Sequence, residues 1–337
     1  MKKRGLVFLA VLVLLLAALG AGTWFATTPP AGGPGVGKTV EIVVPAGAGA
    51  LAIGKQLRTE GLIRYPRFFA LAARARGVEG SLKAGRYRVT GGMGWGEILD
   101  VIAAGEVVTF PLTVPEGFTV RELAPRVAEA TGVDADSVAR LATDSAFVAE
   151  LGVPGPTLEG YLFPETYRFA EGLAPADILR ELVGRYQAYW TPERRVRLDS
   201  LSLDERGLVT LASIVEEEAR VAEERPVIAG VYTNRLEIGM LLQADPTVQY
   251  ALGEPKERLL FSDIDRVADD PYNTYTHAGL PPGPIASPGE SSLDAALYPA
   301  DVPYLFFVAR PDGSHEFTRT NREHINARNR IRRERGE

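Results

Sequence analysis

The chain of 337 residues contains no cysteine. Disulfides, thiol nucleophiles and Cys-ligated zinc are therefore excluded. Histidine is almost as scarce. Its three copies, His277, His315 and His324, are scattered without metal-ligand spacing, so neither a metal site nor a cofactor is expected. Two catalytic signatures are missing as well. There is no Gly-x-Ser-x-Gly elbow and no phosphate-binding loop. An excess of positive charge is also lacking, and the formal charge of -6 argues against a nucleic-acid-binding surface. What remains is an ordinary globular composition and enough length for two domains.

The N-terminus is the exception to that ordinary composition. Met1-Lys-Lys-Arg4 is basic, and from Gly5 to Ala26 the chain is uncharged and almost wholly apolar. That run is about what a helix needs to cross a bilayer. The basic flank is expected to stay in the cytoplasm, with everything after Ala26 outside, in a single-pass cell-membrane protein. A cleaved signal peptide is the rival reading, with small residues at Ala18-Leu-Gly-Ala21. The length of the run favours an uncleaved anchor. Residues 27–38 are rich in Thr, Pro and Gly and read as a linker.

Beyond the linker, Thr39–Val44 alternates as a strand. Pro45-Ala-Gly47 is a turn, and Leu51, Ile53, Leu57 and Leu62 follow at helical spacing. The same order returns at Thr109–Val114, Pro115-Glu-Gly117 and Val120, Leu123, Val127, a two-copy strand–turn–helix repeat. Between the copies, Leu82–Val89 reads as a strand and Trp95–Ala104 as a helix. The rest predicts helices over 134–152, 175–189 and 206–236, the last broken by Pro226. Tyr304–Val308 reads as a buried strand, with Phe317 on a partner strand after the Pro311-Asp-Gly313 turn. A solvated helix is expected from Asn321 onward. Tyr272–Gly289 is too proline-rich for regular structure and reads as an ordered loop. The fold class is thus α+β, with domains expected over 39–108 and 109–337.

The segment Leu211-Ala-Ser-Ile-Val-Glu-Glu-Glu-Ala-Arg220 carries the chemistry. Adjacent glutamates usually mark a solvated helix face. Successive helical residues turn by roughly 100°, however, and Leu208, Leu211, Ala212, Val215, Ala219 and Ala222 then share one apolar face. Glu217 points away from that face, Glu216 lies on its flank, and Glu218 falls inside the stripe. Glu218 is the carboxylate that folding should desolvate, and desolvation raises its pKa toward the range of a general acid at neutral pH. Glu216 is the second choice, as a partner that tunes or orients. Glu217 reads as surface.

These strings, with Leu158–Tyr167, Asn234–Met240, Gln243–Tyr250 and Tyr272–Gly289, resemble the signatures of the endolytic murein transglycosylase (YceG-like) family, in the same order along nearly the whole chain. The resemblance implies a single-pass membrane enzyme with a LysM-like subdomain ahead of the catalytic domain. The family's catalytic glutamate closes an Ile-[Ile/Val]-Glu-x-Glu string, which here is Ile214-Val-Glu-Glu-Glu218. Glu217 departs from the family's commoner lysine between the two glutamates.

The implied reaction cleaves the β-1,4 bond from N-acetylmuramic acid to N-acetylglucosamine without water, leaving a 1,6-anhydromuramyl end. Because the substrate supplies its own nucleophile, the usual pair of carboxylates is not required. The resemblance further implies supporting roles. Gln243 and Asp245 would hydrogen-bond the sugar. Tyr272, Asn273 and Tyr275 would supply ring contacts and donors along the groove, and Glu165 would orient a neighbour of the site. The implied partners are peptidoglycan strands, the cell membrane and the penicillin-binding-protein synthases. The competing readings are a silent glycan-binding scaffold of the wall-synthesis machinery and a tethered protease or esterase, for which no nucleophile motif is visible.

Overall fold

The computed structural model describes residues 37–335 apart from 255, 257 and 258, together with Val13. Apart from Val13, the expected anchor over 1–26 lies outside the described residues, as does nearly all of the linker. Among the described residues, no helix is long and apolar enough to cross a membrane. The fold is mixed α+β, helices predominating over three two-stranded sheets among the described residues. Two compact units divide between Phe110 and Pro111, where the sequence reading draws the boundary at 108/109.

In the first unit β1 (Thr39–Val44) is followed by α1 (Ala50–Thr59), α2 (Pro66–Ala75), β2 (Gly85–Thr90) and α3 (Trp95–Ala104). β1 and β2 pair antiparallel, with Ile42 opposite Tyr87 and Val44 opposite Gly85. Alternation puts Ile42, Val44, Tyr87 and Val89 on one face, where they close over Ile53, Leu57, Phe69, Ile98 and Leu99. Tyr87 is fully buried and its hydroxyl donates to the Lys83 carbonyl at 2.8 Å, so its polar end is satisfied.

The second unit opens with β3 (Thr109–Thr113), which pairs with a later strand, β4 (Thr166–Ala170). The repeat seen in the sequence reappears as two like turns. Gly47 and Gly117 both sit in the left-handed region, at φ 75° and 78°, where a side chain would be strained. Helices α4 (Val120–Thr131), α5 (Ala135–Ala142) and α6 (Ser145–Glu150) precede β4. The single helix expected over 134–152 is two helices, because Asp144 caps a new start by accepting from Ala146 N and Phe147 N. Next come α7 (Pro175–Tyr189), α8 (Pro192–Asp199) and α9 (Glu205–Glu218).

α9 is the axis of this unit. Asp204 caps it by accepting from Gly207 N at 2.7 Å, and every residue from Leu208 to Val215 is buried. It stops at Glu218, where Ala219 turns extended, and a short 3-10 turn leads into α10 (Arg225–Glu237). Pro226 is tolerated in the first turn of a helix and not in its interior, so the chain starts a new helix there. Ala222, expected on the apolar face of a longer helix, is therefore exposed.

The chain continues through α11 (Asp245–Leu252) and α12 (Phe261–Arg266) into the proline-rich loop. Gly283–Gly289 of that loop is buried throughout. A buried backbone must find partners, and it finds them on α9 and on the β3–α4 turn. Ile285 N donates to Ser213 Oγ at 3.1 Å and Gly289 N to Glu216 Oε2 at 2.9 Å, while Ser287 exchanges both backbone bonds with Gly117 and Phe118. α13 (Glu290–Leu297) then packs along α9. A hairpin follows, β5 (Phe306–Ala309) with β6 (His315–Thr318), Phe307 opposite Phe317, and α14 (Asn321–Arg335) packs on it. β5 is half-buried and not fully buried as expected, because one side of it faces a cavity.

Candidate active site

That cavity, of about 450 Å³, has Glu218 at the C-terminal end of α9. Tyr232 and Arg235 reach it from α10, Gln243 and Asp245 from the entry to α11, and Tyr275 from the long loop. Phe306, Phe307 and Ala309 of β5, His315 of β6 and the first turns of α14 line the rest.

The two helices joined by the short turn set the central pair. The Tyr232 hydroxyl donates to Glu218 Oε1 at 2.9 Å. Tyr232 is itself held edge-on by the Phe307 ring, centroids 5.8 Å apart. Two positions before it, Gly230 lets α10 press against the chain beyond α13, since a Cβ there would stand 2.4 Å from the Ala300 carbonyl oxygen. Burial pushes the Glu218 carboxyl up to about 7. The Tyr232 hydrogen bond opposes that rise, Asp245 adds to it, Arg235 opposes it, and Glu217 adds a little more.

Arg235 is buried, with its guanidinium donating to the Leu305 carbonyl at 2.7 Å and the Leu242 carbonyl at 2.5 Å. It thereby ties β5 and the segment before Gln243 to α10. Gln243 adopts φ 49°, the only non-glycine residue in the left-handed region among the described residues. Such a conformation costs on the order of 1–3 kcal/mol and persists only where the surroundings impose it. The Tyr275 hydroxyl donates to Asp245 Oδ1, fixing one wall.

The structure thus brings Glu218, Gln243, Asp245 and Tyr275 around one space. The other expected site residues lie elsewhere. Asn273 is fully buried; its amide nitrogen donates to the Ile264 and Val267 carbonyls, each at 3.0 Å, and its oxygen accepts from Tyr275 N. All of its capacity shapes the loop that presents Tyr275, in place of the expected reach to a ligand. Tyr272 leans on the Tyr250 ring, centroids 4.8 Å apart, outside the cavity lining. Glu165 is exposed and paired with Arg185. Glu216 is nearly buried, and its two oxygens hold Arg225, at 3.0 Å, and Gly289 N. It anchors the fold beside the site and does not face the ligand space.

Glu217 is exposed, as the sequence reading has it. Its side chain also borders a second cavity, of about 250 Å³, with Arg121, Glu159, Gln249 and Tyr250. Glu159 there is buried and its carboxyl is pushed up to about 8, chiefly by that burial, although Val120 N and the Tyr250 hydroxyl donate to it. Sequence reasoning passed over Tyr232, Arg235, His315 and His324. Tyr232 had a legible signal, since it lies about two turns into the helix that Pro226 starts after Glu218. The histidines of β6 and α14 had none, because tertiary packing alone delivers them.

One carboxylate at a helix end, shifted toward neutrality and faced by donors and rings in a polar cleft, is the arrangement general acid/base chemistry uses. The chain belongs to the YceG-like family, whose model matches residues 42–330. It is 35% identical over 307 residues to the endolytic murein transglycosylase of Bacillus subtilis strain 168, covering 86% of this chain and 84% of that one. A second relative, the endolytic murein transglycosylase of Streptococcus pneumoniae serotype 2, is 28% identical over 328 residues; the match covers 86% of this chain and 59% of that longer protein. The crystal structure of a yceG-like protein from Listeria monocytogenes superposes with a TM-score of 0.60 at 32% identity, covering 86% of this chain and 99% of that one.

Proposed function

We propose that this chain is an endolytic murein transglycosylase, a lyase that cuts peptidoglycan strands internally at the bond from N-acetylmuramic acid to N-acetylglucosamine. The observation that carries the reading is Glu218, a carboxyl raised to about 7 and held by Tyr232 in a cleft open to a polymer. The relatives bearing that name support it.

In the first half of the reaction, protonated Glu218 gives its proton to the bridging oxygen as the bond from that oxygen to the muramyl C1 breaks. In the second, the muramyl 6-hydroxyl attacks C1 and its proton passes to the Glu218 carboxylate. The product is a 1,6-anhydromuramyl end, no water is consumed, and the acid returns to its starting state. A pKa near the working pH suits a group that must give and then take the same proton. Asp245 and Tyr275 border the space where the sugar sits, and Gln243 offers its amide to the N-acetyl group or a hydroxyl.

The residues before the described part are read as a cell-membrane anchor with the catalytic unit outside. The order β1–α1–α2–β2, with β1 and β2 antiparallel, supports reading the first unit as a LysM-like glycan-binding module. An enzyme so tethered would cut nascent strands near the membrane, end their elongation, and work beside the penicillin-binding-protein synthases. The test is digestion of purified peptidoglycan with the wild type and Glu218→Gln, read by mass spectrometry. Anhydromuramyl ends from the wild type alone are expected. Reducing muramic acid ends would make it a muramidase.

A further inference from the structure

The cavity around Glu218 is electrically two-sided. Its acidic side is Glu218 and Asp245. Its basic lining is Arg328 and His324 from α14, with Arg235 of α10 in electrostatic reach of both His324 and Glu218. The three basic groups lie close enough that both arginines bear on the titration of His324, whose pKa is lowered first by burial and then by Arg328 and Arg235. Arg235 feels the Glu218 carboxylate, and neither Arg235 nor Arg328 has an ion-pair partner among the described residues. Arg235 donates to backbone carbonyls. Arg328 is exposed, while the neighbouring basic residue Arg330 is paired with Glu316. His324 stacks on the Phe306 ring at 5.5 Å, and its Nδ1 is buried without a hydrogen-bond partner among the described residues. The carboxylates of the hairpin and of the turn before α10 are engaged elsewhere, Glu224 by His315 and Glu316 by Arg310 and Arg330.

We infer that this α14 wall is a specificity site for a carboxylate carried on the muramyl C3 substituent, with Arg328 as its principal contact. The inference rests on the glycan-cleaving reading above. A cationic wall facing an acid across one sugar-sized space fixes the direction of the strand. The bridging oxygen faces Glu218, and the substituted edge of the muramyl ring faces α14. N-acetylglucosamine carries no carboxylate, so only the muramyl unit satisfies both sides, and the bond cut is the one following it. An uncompensated guanidinium at the mouth of a cleft is suited to that task, because it binds carboxylates in a fixed fork geometry and is never deprotonated.

The carboxylate has two sources. It is the lactyl group itself in strands stripped of peptide, and the stem-peptide carboxylates in intact strands. The experiment uses the full chain in detergent, carrying Glu218→Gln so that no ligand is cut, and measures binding by titration calorimetry. The ligands are a GlcNAc–MurNAc tetrasaccharide with free lactyl groups, the same tetrasaccharide with tetrapeptide stems, and chitotetraose. Arg328→Ala, on an exposed helix face where alanine is well tolerated, is expected to lose about tenfold in affinity for a muramyl ligand, the scale of one charge-assisted hydrogen bond. Arg328→Lys should restore part of it, and the preference for muramyl ligands over chitotetraose should collapse. Loss confined to the stripped ligand assigns the lactyl carboxylate, and loss confined to the stem-bearing ligand assigns the peptide. Unchanged affinity, or an equal loss for chitotetraose, overturns the site while leaving the enzyme reading intact. If the wild type leaves peptidoglycan uncut and none of the three sugars binds, both fall.

Discussion

Two consecutive glutamates of one helix illustrate how little sequence distance says about role. Glu218 meets the cavity in which Tyr232 holds it, and Glu217 meets another. If Glu218 must be protonated to act, activity should fall as the pH rises through about 7, the value to which burial lifts it. Tyr232→Phe removes the hydrogen bond that opposes this rise, so the alkaline limb of the pH–rate profile should move upward and the rate should drop by about tenfold. A profile that keeps its alkaline limb in place would separate Tyr232 from Glu218. Glu159 gives a stability counterpart. Its folded pKa is about 8 against 4.5 unfolded, so the folded state is fully favoured below about 4.5 and loses stability as the pH rises toward 8. Glu159→Gln should match the wild type at pH 4.5 and exceed it at pH 7 by on the order of 3 kcal/mol, measured by urea unfolding at both pH values.

At the scale of elements, the site depends on a buried loop strapped to α9. Glu216 holds Arg225 and Gly289 N together, with side chains 6% and 13% exposed for the two ionic partners. Glu216→Ala leaves Arg225 with only the longer Glu116 pairing at 3.9 Å and leaves a buried N–H unsatisfied, and should destabilise the fold by about 3 kcal/mol in denaturant unfolding. Helix phase turned Glu218 and Glu217 toward different surroundings, as the two cavities show, because α9 is regular up to Glu218. The same argument misplaced Ala222, since the helix stops at 218, and it could not see that a loop folds over the flank where it put Glu216. Asn273 looked like a sugar-binding amide because its string is polar and aromatic. Its bonds close within the loop, a fact that depends on Ile264 and Val267 from a helix and turn with no motif of their own. The hairpin and α14 were legible as elements, but their position against Glu218 is a long-range matter that local pattern does not encode.

For the molecule as a whole, every residue around Glu218 comes from the second unit. Residues 111–337 expressed alone are therefore expected to give the same cleavage products as the full chain, by mass spectrometry of digested peptidoglycan. Loss of those products with the circular dichroism of the unit intact would mean that chemistry needs the first 110 residues. The order of the cavity's parts along the chain has a temporal consequence. Glu218, Tyr232 and Asp245 leave the ribosome first, and the wall of Phe306, His324 and Arg328 follows only after the long loop and the hairpin. A nascent chain that already carries its acid therefore still lacks one whole wall of its cleft until α14 has been translated.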